Sequence, residues 1–258
     1  MAETARPRGD TDERTAALEE ALAERILVLD GAMGTAMQSL DLGPDDFGGV
    51  DLEGCNEILC ATRPDVVDHV HELYLAAGAD IVETNTFGAT PLVLAEYGLE
   101  ARAHELNRRA AEIAREACRR HDAAGRPRFV CGSMGPTTKA ISVTGGVNFE
   151  ELQDHFRVQA LGLMDGGADY LLLETCQDTR NVKAGLIGIE AAFDQAGWRL
   201  PVAVSVTIET TGTMLAGQDA EALVVSLLHT DLLYPVMNCA TGRELMPEHV
   251  RTLVELSH

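Results

Sequence analysis

Six short apolar runs recur along the chain, and each has the length of a β-strand. Apolar residues are continuous within them rather than alternating, which is typical of strands covered on both faces. The runs are Ile26–Asp30, Asp80–Thr84, Arg128–Gly132, Tyr170–Glu174, Val202–Val206 and Leu233–Met237. This pattern predicts six strands of a sheet that is buried on both sides.

Amphipathic segments with helix-boundary residues lie between these runs. Pro64–Ala77 carries one apolar face, with proline at its first position and Gly78 at its stop. Asn148 and Glu151 form a capping-box pattern for a helix that ends at 166–167. Asp178 and Asp219 are predicted to cap two further helices, and another helix is predicted over about 247–256. A lead-in helix is predicted over 12–24, ahead of the first strand. The residues up to about 12 are expected to be disordered.

The alternation of strands and helices predicts a parallel sheet with right-handed crossovers. In a doubly wound sheet the special residues gather near one switch point, whereas in a barrel they follow most strands. Here polar or glycine-rich segments follow nearly every strand, and 30–34 does not match a dinucleotide-binding fingerprint. We therefore predict an α/β fold of the (β/α)8 TIM type.

The sequence contains about the first six β/α units of such a barrel. We expect 22–258 to be a partial barrel domain, preceded by a polar N-terminal tail and lead-in helix over 1–21. We also expect the last two units to be missing.

Composition narrows the class of protein. Hydrophobic residues make up 46% of 258 residues, which suffices for a large core, and aromatic residues only 4%, so that core is expected to be aliphatic. The net charge of −21 argues against nucleic-acid or anionic-membrane partners. No signal peptide or membrane-spanning run is present, and the six scattered cysteines favour a reducing cytoplasm.

Acidic residues end two of the predicted strands. Asp30, followed by Gly31, could bind an amine or hold a water molecule, or it could be a turn aspartate. Glu174 closes an apolar strand, where a carboxylate is costly without a partner, so a ligand-binding role is favoured. Glu83 has a similar position but could point toward a helix.

Two other segments are candidates for chemistry. The loop that contains Ser133 is rich in glycine and could let a ligand approach the backbone, or it could be a tight turn. Cys239 follows Asn238 just past the sixth strand, where a lone cysteine could be a metal ligand or a small buried hydrophobic residue. Pro235 cannot donate a ladder hydrogen bond, which puts the pairing of this strand in question.

Taken in order, five motifs resemble the homocysteine-binding domain of the cobalamin-dependent methionine synthases, a branch of the homocysteine S-methyltransferase family. The resemblance covers about residues 22 to 258. The motifs are Leu29–Thr35, Glu83–Phe87, Gly132–Thr137, Leu173–Thr175 with Asp178, and Asn238–Gly242.

The resemblance implies a zinc-dependent methyltransferase barrel. Zinc would be held by three cysteine thiolates, of which Cys239 matches the first. The other two belong to a Gly-Gly-Cys-Cys-Gly motif, and this chain contains no Cys-Cys pair. We therefore expect poor zinc binding and no methyl transfer by the chain alone.

The resemblance also implies roles in binding homocysteine. The acids Asp30 and Glu174 would hold its ammonium end and act as the catalytic residues. Gly31 and Ser133 would line the substrate site. Asn238 would orient the groups beside Cys239 at the open end of the barrel.

The methyl donor would be methylcobalamin, bound by a module outside this chain. The partners would be homocysteine, the missing barrel units, and the folate and cobalamin modules. Alternatives are a betaine- or S-methylmethionine-dependent methyltransferase, a non-catalytic fragment or half of a split barrel, and a barrel enzyme that uses the carboxylates without zinc.

Overall fold

The computed structural model describes residues 8–123, 126–239 and 246–256. The strands are β1 (Ile81–Glu83), β2 (Phe129–Met134), β3 (Tyr170–Cys176), β4 (Val202–Val206) and β5 (Pro235–Met237). The helices are α1 (Arg8–Glu24), α2 (Met33–Gln38), α3 (Pro44–Phe47), α4 (Leu59–Thr62), α5 (Pro64–Ala77), α6 (Pro91–Leu94), α7 (Ala103–His121), α8 (Phe149–Gly166), α9 (Thr179–Ala196), α10 (Ala220–Leu227) and α11 (Met246–Leu256).

The five strands form one parallel sheet in the order β1-β2-β3-β4-β5. Each strand lies beside its neighbour in sequence, and the order does not reverse within the described residues. A doubly wound sheet requires such a reversal, whereas a barrel does not. The predicted α/β class with a parallel sheet is confirmed, and the strand order supports the barrel arrangement.

The first predicted strand, Ile26–Asp30, is a single bridge rather than a strand. Leu29 pairs with Ile81, and the backbone N–H of Asp30 donates to the Ile81 carbonyl at 3.0 Å. The run has a partner on one side only within the described residues, and the side chain of Ile26 is 90% exposed. A ladder supported on one side remains short here, so apolar composition alone overestimated this strand.

Side chains alternate between the two faces of the sheet, as the pleat requires. On the inner face, Phe129, Tyr170 and Leu172 pack with Leu18 of α1. The outer face packs against the surrounding helices, through residues such as Val130 and Leu173. The predicted burial on both faces is confirmed, and the inner face continues into the polar positions described below.

Helix α1 closes the end of the sheet where the strands begin. Its Leu18 is fully buried, Arg14 forms an ion pair with Asp169 at 2.8 Å, and Arg25 forms one with Asp80 at 2.8 Å. The helix begins at Arg8, so the predicted disorder up to about residue 12 is wrong for its last part. Helix α1 therefore covers the inner face at this end, whereas the polar side chains lie at the opposite end.

The predicted helix boundaries agree with the structure. Helix α5 covers Pro64–Ala77 and ends at Gly78, which has φ 106°. Asn148 accepts a hydrogen bond from the backbone of Glu151 at 2.9 Å and completes the capping box of α8. Asp178 and Asp219 cap α9 and α10. The sequence did not predict the short helices α2, α3, α4 and α6 or the long helix α7.

Pro235 does not prevent β5 from pairing. It is the first residue of the strand, which is a position that tolerates a missing N–H. The flanking N–H of Asn238 donates to the Val206 carbonyl at 3.1 Å, which holds the end of β5 beside β4. Residues 240–242 of the Asn238–Gly242 motif lie outside the described residues.

None of the helices in the described part of the chain combines the length and the hydropathy that a bilayer crossing needs.

His71 is a buried histidine on α5 whose ring nitrogens both lack a hydrogen-bond partner. Burial lowers its pKa from 6.5 to about 4, because the charged ring would be poorly solvated there. The folded state therefore favours the neutral ring, and this contribution to stability is complete above pH 6.5 and is lost as the pH falls toward 4.

We expect His71→Leu to remove that part of the acid sensitivity. Between pH 8 and pH 5 the wild-type chain should lose about 2 kcal/mol more unfolding free energy than the variant. Urea denaturation at both pH values measures this difference. His69→Leu, which changes an exposed histidine two residues away, is the matched control, and equal losses in all three proteins would contradict the prediction.

Candidate active site

The end of the inner face opposite α1 carries three acidic side chains. Asp30 lies beside β1, the first strand of the sheet. Glu83 is the last residue of β1, and Glu174 lies near the end of β3. The alternation that buries Tyr170 and Leu172 on the inner face also directs Glu174 there. Two of the predicted site residues, Asp30 and Glu174, are therefore brought together, with Glu83 beside them.

Asp30 is held by the backbone of β1. Both of its carboxylate oxygens lie 3.1 Å from the N–H of Glu83. Burial raises the pKa of Asp30 to about 8, and the nearby Glu174 adds to the rise, although the hydrogen bond from Glu83 opposes it. Asp30 is thus a backbone-bonded aspartate, as the turn interpretation holds, and it also contributes to the acidic cluster.

Glu83 is the member of this cluster that the sequence supported least. Burial raises its pKa to about 9, and the charges of Glu174 and Asp30 contribute in the same direction. The shift shows that its carboxyl shares the poorly solvated space of the other two. The signal that could have found it is its inward position two residues after Ile81, which packs in the inner core.

Glu174 is 7% exposed and is held by two hydroxyl groups. The Ser133 hydroxyl donates to its Oε1, and the Thr175 hydroxyl donates to Oε2 at 3.4 Å. Burial raises the pKa of Glu174, whereas these two hydrogen bonds lower it. The structure thus places Ser133 beside Glu174, and its predicted contact with a substrate stays a prediction.

Gly31 has a different environment from the acids. A Cβ atom at this position would lie 2.9 Å from the hydroxyl oxygen of Tyr74. The residue is exposed, and its lack of a side chain allows the ring of Tyr74 to approach the backbone after Asp30. Its predicted part in substrate binding stays a prediction.

Asn238 joins the acidic cluster to Cys239. Its Nδ2 donates to the Thr175 hydroxyl at 2.7 Å and to the Cys239 sulfur at 3.4 Å. Its Oδ1 accepts a hydrogen bond from the Ser205 hydroxyl at 2.6 Å. Sequence reasoning missed Ser205, although its place on β4, two residues after the inward-facing Ala203, marks it as an inner-face residue.

The two residues to which the Asn238 side-chain amide donates hydrogen bonds both have strained backbones. Thr175 has φ 55° and Cys239 has φ 58°, in the left-handed region. A β-branched residue rarely adopts this conformation, which costs about 1–3 kcal/mol where it occurs. Such strain is concentrated at functional sites, which supports the placement of the site at these strand ends.

Cys239 is the exposed cysteine of the chain, and the other five are buried. Burial raises the pKa of the Cys55, Cys60 and Cys118 thiols to about 12, which keeps them protonated. Over the described residues no three His, Cys, Asp or Glu side chains come together as a metal site. These residues therefore offer Cys239 as a single candidate ligand and do not by themselves fit a zinc site.

A groove of about 830 Å³ lies away from these residues, between α1, α9 and the starts of β4 and β5. Its charged residues include Arg199 and Glu190, which pair with each other at 2.6 Å. It contains none of the inner-face acids, so its size does not make it the candidate active site.

The acidic cluster is suited to a cation. In the described part of the chain, no lysine, arginine or histidine forms an ion pair with Asp30, Glu83 or Glu174. A primary ammonium group would supply the missing positive charge and could donate hydrogen bonds to carboxylate oxygens. If the molecule that carries this ammonium group also carried a thiol, the thiol would lie near Cys239.

We expect Glu83→Gln to stabilise the folded chain at alkaline pH. A carboxyl whose folded pKa is raised contributes stability below its unfolded pKa, near 4.5, and that contribution is lost as the pH rises toward 9. At pH 8 the variant should gain about 1 kcal/mol or more in unfolding free energy, and at pH 5 the gain should be much smaller.

Guanidinium denaturation at pH 5 and pH 8 measures both values. Glu53→Gln, at an exposed position outside the cluster, serves as the control and should show little change at either pH. A Glu83→Gln gain that is the same at both pH values would mean that the carboxyl is not titrating in the cluster.

Comparisons with known proteins identify the family of this chain. The family model described as homocysteine S-methyltransferase matches residues 27–258. The chain is 46% identical over 246 residues to methionine synthase of Mycobacterium leprae and 45% identical to that of Mycobacterium tuberculosis. It covers 20% of either protein, so it spans about a fifth of the length of these curated relatives.

Solved structures show a similar fold. The metallated form of the homocysteine methyltransferase MmuM from Escherichia coli superposes with a TM-score of 0.76 at 23% identity, over 95% of this chain and 84% of that one. The apo form gives a TM-score of 0.71, also at 23% identity, over 92% and 80% of the two chains. The family match over nearly the whole chain, together with the close relatives, shows that the chain belongs to the homocysteine S-methyltransferase family.

Proposed function

We propose that the chain is the homocysteine-binding domain of a methionine synthase, folded as the first part of a (β/α)8 barrel over 22–258. The observation that carries the proposal is the buried cluster of Asp30, Glu83 and Glu174 without a described cation. The identity of 45–46% with methionine synthases supports the reaction class.

The ammonium group of homocysteine would bind to Asp30 and Glu174. Ser133 and Thr175 direct their hydroxyl protons at Glu174, which fixes where its oxygens lie. The positive ammonium would also favour the ionised forms of the three acids, so part of their bound protons would be released on binding. The resulting charge pairs would be strong because this space is poorly solvated.

The sulfur end of homocysteine would lie toward Cys239. Asn238 contacts both Thr175, beside the ammonium site, and the Cys239 sulfur. The ammonium and thiol ends of one small amino acid could therefore contact two groups that Asn238 links by hydrogen bonds. The family resemblance implies a zinc ion beside Cys239, and such an ion keeps a coordinated thiol deprotonated. No step is assigned to it, because the described residues do not complete its ligands.

The thiolate would accept a methyl group to form methionine. We propose methylcobalamin as the donor, held by a module outside this chain, because the relatives with this identity are methionine synthases. The betaine- and S-methylmethionine-dependent reactions remain the alternatives. The free cysteines support a reducing, cytoplasmic location.

Binding of homocysteine to residues 1–258 tests the ammonium site. We expect Glu174→Gln and Asp30→Asn each to weaken binding by about 10-fold to 100-fold, because each removes a charged hydrogen-bond partner. Isothermal titration calorimetry measures the affinities. The analogue 4-mercaptobutanoate, which lacks the ammonium group, should bind the wild type and both variants with similarly low affinity.

Glu53→Gln is the matched control for loss of one negative charge and should bind homocysteine like the wild type. The proposed function is contradicted by a wild-type chain that does not prefer homocysteine over 4-mercaptobutanoate. It is also contradicted by variants that retain that preference.

Zinc content tests the expectation for the metal. Purified residues 1–258 should hold well below one zinc per chain after dialysis, because a single thiolate does not give a site of ordinary affinity. Atomic emission measures the content. One tightly held zinc per chain that disappears in Cys239→Ser would show that the chain completes the site by itself.

A further inference from the structure

We propose that Ser205 is a positioning residue that aims the amide of Asn238 at the Cys239 sulfur. The residue lies on the inner face of β4 and is 2% exposed. Its hydroxyl donates to Asn238 Oδ1 at 2.6 Å. The effect of Ser205 on Cys239 does not depend on the proposed function.

The polarity of this network is set by Glu174. The Thr175 hydroxyl donates its one proton to Glu174 Oε2 at 3.4 Å. The Thr175 oxygen must then accept from Asn238, which requires that the amide nitrogen face it at 2.7 Å. The amide oxygen is left on the opposite side, where the Ser205 hydroxyl donates to it.

The orientation of the Asn238 amide decides which of its polar groups contacts the Cys239 sulfur. With Nδ2 toward Thr175, the amide also presents an N–H to the Cys239 sulfur at 3.4 Å. In the flipped orientation the sulfur would face an amide oxygen instead. The orientation of the amide therefore decides whether the Cys239 sulfur lies beside a hydrogen-bond donor or beside an acceptor.

The backbone supports a positioning role over simple core packing. Asn238 is held by its own N–H, which donates to Val206, and by the Thr207 hydroxyl, which donates to its carbonyl at 3.3 Å. Thr175 and Cys239, the two residues that the amide contacts, both have the strained left-handed backbone. Ser205 is the contact that bonds the amide oxygen, so its removal leaves the main chain in place and frees the amide to turn.

The reactivity of Cys239 reports the amide orientation directly. The other five cysteines are buried, so iodoacetamide should modify Cys239 alone in the folded chain, as peptide mass spectrometry can check. We expect Ser205→Ala to change the second-order rate of this modification by about threefold or more, and Ser205→Thr to restore it. Circular dichroism and thermal melting confirm that each variant is folded.

A double-mutant cycle separates positioning from packing. If Ser205 acts through the amide, Ser205→Ala should have no effect on the rate in an Asn238→Ala background. An unchanged rate in Ser205→Ala alone, or the same change in both backgrounds, would overturn the proposal. Should Ser205→Ala unfold the chain, the comparison of Ser205→Thr with Ser205→Cys gives the same readout, with restoration expected only for the hydroxyl.

The cycle is read without substrate, so its outcome does not depend on homocysteine binding. Failure of the proposed function would appear in the calorimetric comparison of homocysteine with 4-mercaptobutanoate. Failure of the Ser205 proposal would appear in the alkylation rates.

Discussion

The burial of three carboxyl groups in one poorly solvated space is the constraint around which this end of the molecule is organised. Asp30, Glu83 and Glu174 share a poorly solvated space, and their pKa values rise as a result. Such an arrangement opposes folding at neutral pH, since ionisation would place like charges together. It persists here because backbone and hydroxyl donors hold the acids, and because the aliphatic core beneath them is extensive.

The strands supply that support through their alternation. In β1 to β4, the inner-face positions near the strand starts carry apolar or aromatic side chains, and those near the strand ends carry polar ones. Phe129 and Ser133 share a face of β2, as Tyr170 and Glu174 share a face of β3. Helix α1 covers the apolar end through Leu18 and its two ion pairs.

Much of the fold followed from sequence patterns that depend on local physics. Capping residues such as Asn148 and Asp178 identified helix starts because they satisfy backbone donors within three residues. The run Ile26–Asp30 forms only a single bridge to β1, because the extent of a strand depends on its backbone pairing, which composition does not report. Asp30 and Glu174 were found because an acid after an apolar run is costly. Ser205 was missed because a serine within an apolar strand carries no such cost.

Under the proposed function, the polar end would recognise an amino acid rather than a simple thiol. An ammonium group would relieve the repulsion among the acids, so its binding gains both direct attraction and the removal of an unfavourable interaction. A thiol without that group would meet only Cys239 and leave the acids as they are. Because Asn238 contacts Thr175 as well as Cys239, binding at the acidic cluster and the orientation of the thiol are linked through one amide. Under the proposed function, the same residues whose burial is costly would give the site selectivity for a substrate that carries both groups.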